Sequence, residues 1–318
     1  MNAMIISASR RTDIPAFYSE WFFNRIKEGF VYVQNPINPK QVSKIQLTPE
    51  KVDCFVFWTK NAKPMLKRLD ELNDYNYYFQ YTITGYQSDV EKSVLNKKEI
   101  VNTFKELSKK IGKERVILRY DPIFLSEKYS IDYHCEAFER LCSQLCGYTE
   151  RCVISFIDLY KKTERNTKAL NITQMTMENV KKISKRFSLI ARSYNISIET
   201  CSEEYDLSEY GIKKGKCIDD DIISKVIGYE ISVKKDDTQR EVCGCVKSVD
   251  IVQYNTCRHH CLYCYANFNN TQVDENSKKH DKNYPLLIGR VREDAKITVR
   301  NMKSIKGKKL GEEQITLF

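Results

Sequence analysis

Apolar residues in this chain fall into short β-rich runs that alternate with longer stretches of helical period. Residues 4–9, 31–34, 54–58, 77–84, 115–120, 152–157 and 196–200 predict strands, and residues 18–28, 62–72, 97–111, 131–146 and 174–194 predict helices. Ile100, Phe104, Leu107 and Ile111 keep one face of the third helix, as Val180, Ile183, Phe187 and Ile190 do in the fifth. This alternation implies an α/β fold with a parallel sheet and crossover connections, and seven or eight such units favour a (β/α) barrel or partial barrel. Residues 218–228 suggest one more short helix. The chain then divides into a barrel-like part (1–235), a cysteine-rich segment that completes it (236–270) and a polar basic tail (271–318), expected to be mobile or loosely docked.

Polar residues follow each predicted strand at once: Arg10, Arg11 and Asp13; Thr59, Lys60 and Asn61; Thr82 and Thr84; Asp121; Asp158, Tyr160 and Lys162; Glu199 and Cys201. One such set is a loop ion pair or a helix cap. Six on the face where parallel barrels carry their sites predict a ligand-binding mouth.

The composition removes several classes. No apolar run nears the roughly 18 residues of a membrane span, and the short apolar start meets Arg10 and Arg11 without a cleavage signature, so a cytoplasmic protein is expected. Neither a G-x-G-x-x-G nor a P-loop fingerprint is present, and four histidines leave little for a hydrolase. The net charge of +10 favours polyanionic partners, nucleic acid first among them. Twelve cysteines without an export signal point to thiols used as core residues or metal ligands rather than disulfides.

Their positions separate the two uses. Cys135, Cys142 and Cys146 lie along a predicted helix with Phe138, Leu141 and Leu145, and Cys54 and Cys152 open predicted strands, so all five are expected in the core. Cys257, Cys261 and Cys264 stand within eight residues, a crowding of soft ligands that suits a metal. Zinc would need a fourth ligand, for which His259 or His260 is available. An iron–sulfur cluster held by three thiolates is the other solution. Cys201, Cys217, Cys243 and Cys245 form a second set, with Gly244 allowing a sharp turn between the last two. This set is either a second metal centre, iron–sulfur or zinc, or a group of free thiols.

The C-x3-C-x2-C spacing, with Tyr263 before the last cysteine, resembles that of the radical S-adenosylmethionine (SAM) superfamily. That resemblance implies a [4Fe-4S] cluster whose open iron binds SAM, which is cleaved to a 5′-deoxyadenosyl radical. The superfamily places this motif after its first barrel strand, whereas here it lies near the C-terminus. A permuted barrel reconciles the two, with residues 248–254 as the strand that leads into the cysteine loop. Ser-Arg-Arg-Thr-Asp-Ile-Pro (9–15), Phe-Trp-Thr-Lys-Asn (57–61), Tyr-Thr-Ile-Thr-Gly-Tyr (81–86), Arg-Tyr-Asp-Pro (119–122) and Cys-x-Tyr-Cys-Tyr-Ala-Asn (261–267) resemble an uncharacterised bacterial family, domain of unknown function 1848, up to about residue 270. Its cysteine cluster is likened to that of radical SAM proteins, and its Tyr-Cys-Tyr-Ala element is similar to that of spore photoproduct lyase-like proteins.

The expected function is therefore radical SAM chemistry, on DNA or a nucleic-acid-derived substrate. Arg10, Arg11, Lys60, Arg119 and Tyr263 are the candidates to bind SAM, and Tyr120, Tyr160 and Cys201 are candidate hydrogen donors. The alternative is a non-enzymatic DNA-associated protein with a structural or redox-sensing metal centre. Residues 296–309 carry six basic and no acidic side chains, and the closing peptide Gln314-Ile315-Thr316-Leu317-Phe318 resembles the Gln-x-x-Leu-Phe motif that docks bacterial repair proteins on the sliding clamp.

Overall fold

A computed structural model describes residues 5–158, 161–301 and 303–311. Tyr160 and the closing Gln314–Phe318 peptide lie outside the described residues. Eight parallel strands form the main sheet: β1 (Ile5–Ser7), β2 (Cys54–Thr59), β3 (Tyr77–Thr82), β4 (Val116–Ile123), β5 (Arg151–Phe156), β6 (Ser197–Cys201), β7 (Lys213–Gly215) and β8 (Val249–Asp250). Their spatial order is β8-β1-β2-β3-β4-β5-β6-β7. The strands thus follow one another without a reversal, and the last in sequence takes the place before the first. The two edges are β8 and β7.

Side chains alternate across the sheet as the two-residue period of a strand requires. Ile6, Phe55, Phe57, Phe79, Leu118, Tyr120, Cys152 and Ile154 enter one core, where helices Ser19–Glu28, Lys97–Ile111, Ile131–Leu145 and Met177–Ser193 pack. The helices contribute Phe22, Phe104, Phe138 and Phe187 among others, and the rings of Phe138 and Phe187 stack at 4.0 Å. Side-chain caps start three of these helices: Asn96 accepts from Lys98 N, Ser130 from Tyr133 N and Thr176 from Asn179 N. Ile5, Cys54, Val56, Tyr78, Ile117 and Val153 face the other way, into a smaller core built with Cys217, helix Asp220–Ile227 and residues 243–246. Both apolar faces of the sheet are therefore covered, as a buried parallel sheet requires.

Several expectations change. The 31–34 run is part of Phe30–Gln34, which leaves the main sheet and pairs antiparallel with Gln41–Gln46. Residues 62–72 divide into Lys63–Leu66 and a 3-10 turn at Leu69–Leu72. Cys146 caps its helix and is exposed, whereas Cys54, Cys135, Cys142 and Cys152 are buried. The tail is not loose over its described part. Trp21 Nε1 donates to Tyr284 O at 2.9 Å, Arg25 Nη2 to Asn283 O at 2.8 Å, and Leu286, Leu287 and Ile288 are buried. Lys296–Val299 then adds a parallel strand to Gln41–Gln46, and Lys306–Lys309 pairs with Tyr229–Ile231. The basic side chains that suggested mobility point outward from a backbone that is satisfied in ladders.

Candidate functional site

The first cysteine loop leaves the carboxyl end of β8 and reaches helix Asn270–Lys278. Its base closes where Asn255 N donates to Ala266 O at 3.0 Å, and Asn267 Nδ2 holds Cys257 O at 2.8 Å. Asn255 and His260 take left-handed backbone angles, with φ of 57° and 51°, which turn the loop tightly enough to carry three thiols in eight residues. Tyr18 OH donates to Thr256 O at 2.6 Å. On the far side the loop is stitched to residues 90–93: Leu262 N donates to Val90 O, Ser93 N to His259 O, and Glu91 bridges Cys261. Cys257, Cys261 and Cys264 are half-buried.

Two buried carboxylates fix this loop to the strand ends. Asp13 is the N-cap of helix Ile14–Phe17 and accepts from Thr59 Oγ1 at 2.8 Å, Lys60 N at 2.7 Å and His259 Nε2 at 2.7 Å. One side chain therefore ties the ends of β1 and β2 to the cysteine loop, and the His259 ring also packs on Phe17 at 4.6 Å. Glu91 accepts from Lys60 Nζ at 2.7 Å, Lys97 Nζ at 2.5 Å, Thr84 Oγ1 at 2.8 Å and the Tyr263 hydroxyl. Burial pushes its carboxyl upward, but the two ammonium groups outweigh this and hold it ionised well below the usual range. Burial pushes the Cys261 thiol up to about 12, against the pull of the Lys60 ammonium beside it. Asp13 stood among the strand-end residues in the sequence, but Glu91 carried no motif signal; it lies in the turn region after the Tyr-Thr-Ile-Thr-Gly-Tyr stretch.

The short motifs now acquire physical meaning because they touch one another. Ser9 Oγ donates to Trp58 O at 2.8 Å and accepts from Trp58 N at 2.7 Å, joining the first motif to the second. Thr84 of the third reaches Glu91, as Lys60 of the second does. Gly85 has no room for a side chain, since a Cβ would stand 2.7 Å from Tyr120 OH and 2.9 Å from Ala137 Cβ.

The proposed SAM-binding cations part company. Arg11 pairs with Asp250 at 3.3 Å and lies over Tyr254, Lys60 is taken by Glu91, and Arg119 is held by Asp121, Gln80 and Cys217. Arg10 is different: it lies over Trp58, and its buried Nη2 has no hydrogen-bond partner among the described residues. Tyr263 is in the loop, with its hydroxyl on Glu91 and its ring 5.6 Å from Lys60 Nζ and 5.8 Å from the Tyr86 ring. Tyr120 does not reach the mouth. Adjacent strand residues point to opposite faces, so while Arg119 faces the smaller core, Tyr120 enters the helix-covered one, fully buried and 2.9 Å from His134 Nδ1. Its proposed role as a hydrogen donor is not supported by this position.

The loop's donors fit a thiolate-held metal centre. Ten buried side-chain polar atoms lack a partner among the described residues, and six of them, on Arg10, Thr12, Asp250, His259, His260 and Asn267, belong to this loop or to the strand ends beside it. Buried polar atoms are normally paired, and these six are the ones that a bound group or water at this end of the sheet could satisfy. A single zinc ion suits it less well. His259 already spends Nε2 on Asp13 and His260 Nε2 lies 3.5 Å from Asp274, while the one three-ligand group compact enough for a lone ion among the described residues is Asp219, Asp220 and Asp221.

The second cysteine set also converges. Cys201 ends β6, Cys217 follows β7, and Cys243 and Cys245 arrive from a covering segment. Cys201 and Cys217 Sγ are 2.9 Å apart, and Cys217 contacts Cys245, which contacts Cys243.

No helix among the described residues is long and apolar enough to cross a membrane. No curated protein and no solved structure matches the chain. The family model for a domain of unknown function (DUF1848) matches residues 5–266, and the chain belongs to that family.

Proposed function

We propose that the chain is a radical SAM enzyme in which Cys257, Cys261 and Cys264 hold a [4Fe-4S] cluster, with the main sheet serving as a permuted partial barrel. The observation that carries this reading is the three-thiol loop at the carboxyl end of β8, surrounded by buried polar atoms that lack partners. The strand order supports the permutation. Placing β8 first yields an uninterrupted succession of parallel strands, with the cysteine loop following the first of them.

When bound, the cluster supplies the electron that cleaves the SAM sulfonium to a 5′-deoxyadenosyl radical. The chain's own residues have simpler tasks. Arg10 offers its unpaired guanidinium nitrogen to the methionyl carboxylate of SAM, a charge-assisted contact on an already buried donor. Asp13 and Glu91 keep the loop in register with β1, β2 and β3 through the contacts above, so that the thiols need not be ordered when the cluster binds. Trp58, beneath Arg10, gives that end of the mouth an apolar wall. What supports a nucleic-acid substrate is the net charge of +10 and the clamp-like closing peptide.

The test is anaerobic reconstitution, followed by iron and sulfide counting, electron paramagnetic resonance of the reduced protein and a SAM-cleavage assay. Iron, sulfide and 5′-deoxyadenosine are expected. Cys257→Ala, Cys261→Ala and Cys264→Ala should each abolish SAM cleavage, and Cys142→Ala should leave it intact. Stoichiometric zinc without iron would overturn the assignment, and a cluster without SAM cleavage would favour the structural or redox-sensing alternative.

A further inference from the structure

We infer that Cys201, Cys217, Cys243 and Cys245 hold a second thiolate-bound metal centre, on the opposite half of the sheet's carboxyl end. The inference rests on other residues than the Cys257–Cys264 loop and stands or falls separately from it.

Three separate chain segments bring these sulfurs together. Cys201 is the last residue of β6, Cys217 lies two residues beyond β7, and Cys243 and Cys245 flank Gly244 in a segment that covers the smaller core. Each is fixed through its backbone. Cys217 O accepts from both Tyr78 OH at 2.7 Å and Gln80 Nε2 at 3.0 Å, two side chains that β3 sends to this face. Val246 N donates to Ile218 O at 3.1 Å, so the segments that carry Cys217 and Cys245 are zipped to each other. Cys245 O accepts from Asp236 N, and Cys243 N donates to Arg240 O. The sulfurs form a continuous series, Cys201 to Cys217 at 2.9 Å, then Cys245, then Cys243.

Hydrogen-bond donors face two of these sulfurs. Arg119, only 5% exposed, donates Nη1 to Cys217 Sγ at 3.0 Å, and Ile218 N approaches Cys245 Sγ at 3.4 Å. Arg119 takes its countercharge from Asp121, and its second nitrogen is left to hydrogen-bond the Cys217 sulfur. By contrast Cys142 and Cys152 sit in the helix-covered core among aliphatic and aromatic side chains as small hydrophobes. Four thiolates with a cationic hydrogen-bond donor and a backbone N–H are the donor set of soft metals, either zinc or an iron–sulfur cluster.

The two thiol groups share a neighbour. Arg10 lies within electrostatic reach of Cys217 and Cys245 as well as of Asp250 and Tyr265.

The experiment uses the full chain purified anaerobically, with and without Cys257→Ala, Cys261→Ala and Cys264→Ala together, and measures iron, zinc and sulfide. The triple variant should retain metal, and adding Cys243→Ser and Cys245→Ser should remove what remains. Iron with sulfide identifies a cluster, and zinc alone identifies a single-ion site; either upholds the inference. Absence of metal from the triple variant, with the unsubstituted chain carrying only one centre, would overturn it. Should the quintuple variant fail to fold, alkylation of the unsubstituted chain decides: Cys243 and Cys245 should be shielded until a chelator removes the metal. Labelling that a chelator does not change, or a Cys201–Cys217 or Cys243–Cys245 disulfide, counts against a metal site. Failure of the radical SAM reading would look different, as loss of SAM cleavage with this metal still bound.

Discussion

His134 shows how one buried side chain sets a pH limit on the fold. Its Nε2 lies 2.8 Å from Phe124 O, which can only accept, so the proton sits on Nε2 and Nδ1 accepts from Tyr120 OH at 2.9 Å. A second proton would leave Nδ1–H facing a hydroxyl that already donates to it. Burial pushes the imidazole down to about 4, against an ordinary value of 6.5 that the unfolded chain regains. Between these values the unfolded state binds a proton that the native state does not. The stabilisation is therefore complete above pH 6.5 and is lost as pH falls towards 4, by an amount on the order of 3 kcal/mol. His134→Gln keeps a donor for Phe124 O and an acceptor for Tyr120 without the titration. Denaturant unfolding of both proteins from pH 7.5 to 4 should show the stability difference between them shrink or reverse across this window; a constant difference would contradict the assignment. The same tyrosine explains a sequence-level error. Arg119 and Tyr120 both end a predicted strand next to the mouth, yet parity allows only one of them to face it, and the sequence does not reveal which face of a buried strand is which.

At the scale of elements, the site was legible where chemistry is written into adjacent residues and illegible where it is assembled from afar. Three cysteines in eight residues declare themselves, and strand-end polar residues such as Asp13 and Lys60 follow from the period of a parallel sheet. Glu91 does neither. Its partners lie 7, 31 and 172 residues away at Thr84, Lys60 and Tyr263, and only folding brings them to one carboxylate. The second thiol set is intermediate: its members were visible, but Arg119 as their hydrogen-bond donor depends on the register of β4 against β5 and β6. Glu91 offers the sharper test of how the loop is held. Glu91→Gln preserves shape and an acceptor for Tyr263 but removes the countercharge from Lys60, which is largely buried, and from Lys97, which can turn to solvent. The loss should be about 3 kcal/mol, at the low end for a broken buried pair because one lysine can be rehydrated. The variant should also retain less iron after reconstitution, since the strand end no longer pins the loop at Cys261. Unchanged stability with unchanged iron content would mean that the network does not position the loop.

At the scale of the molecule, a sheet that begins in sequence with its second strand must be completed by the far end of the chain. Strand β8 arrives only after residue 248, and the described residues beyond it return to the outside of the sheet rather than leaving it. Helix Ser19–Glu28 is closed on its outer side by residues 283–288: Tyr284 O takes the Trp21 indole proton, and Asn283 O takes a proton from Arg25, whose side chain is fully buried. Leu286, Leu287 and Ile288 add three buried apolar side chains, each contributing about 1.5–3 kcal/mol. Their sum is comparable with the whole stability of an ordinary domain, about 5–15 kcal/mol. A chain stopped after residue 269 also leaves the Arg25 guanidinium without its backbone acceptor in an apolar setting. It should therefore lose cooperative unfolding or fail to accumulate in soluble form, even though it keeps every cysteine and the whole family match. A chain stopped after Gly311 keeps all of these contacts and should retain cooperative unfolding. The second truncation also tests the proposed route to DNA, because it removes the Gln314–Phe318 peptide and keeps the described residues up to Gly311. Binding to a bacterial sliding clamp, measured for the full chain and for the chain ending at Gly311, should be lost in the shorter protein alone. Equal binding by both, or none by either, would withdraw the peptide's support for a DNA substrate while leaving the metal chemistry to its own tests.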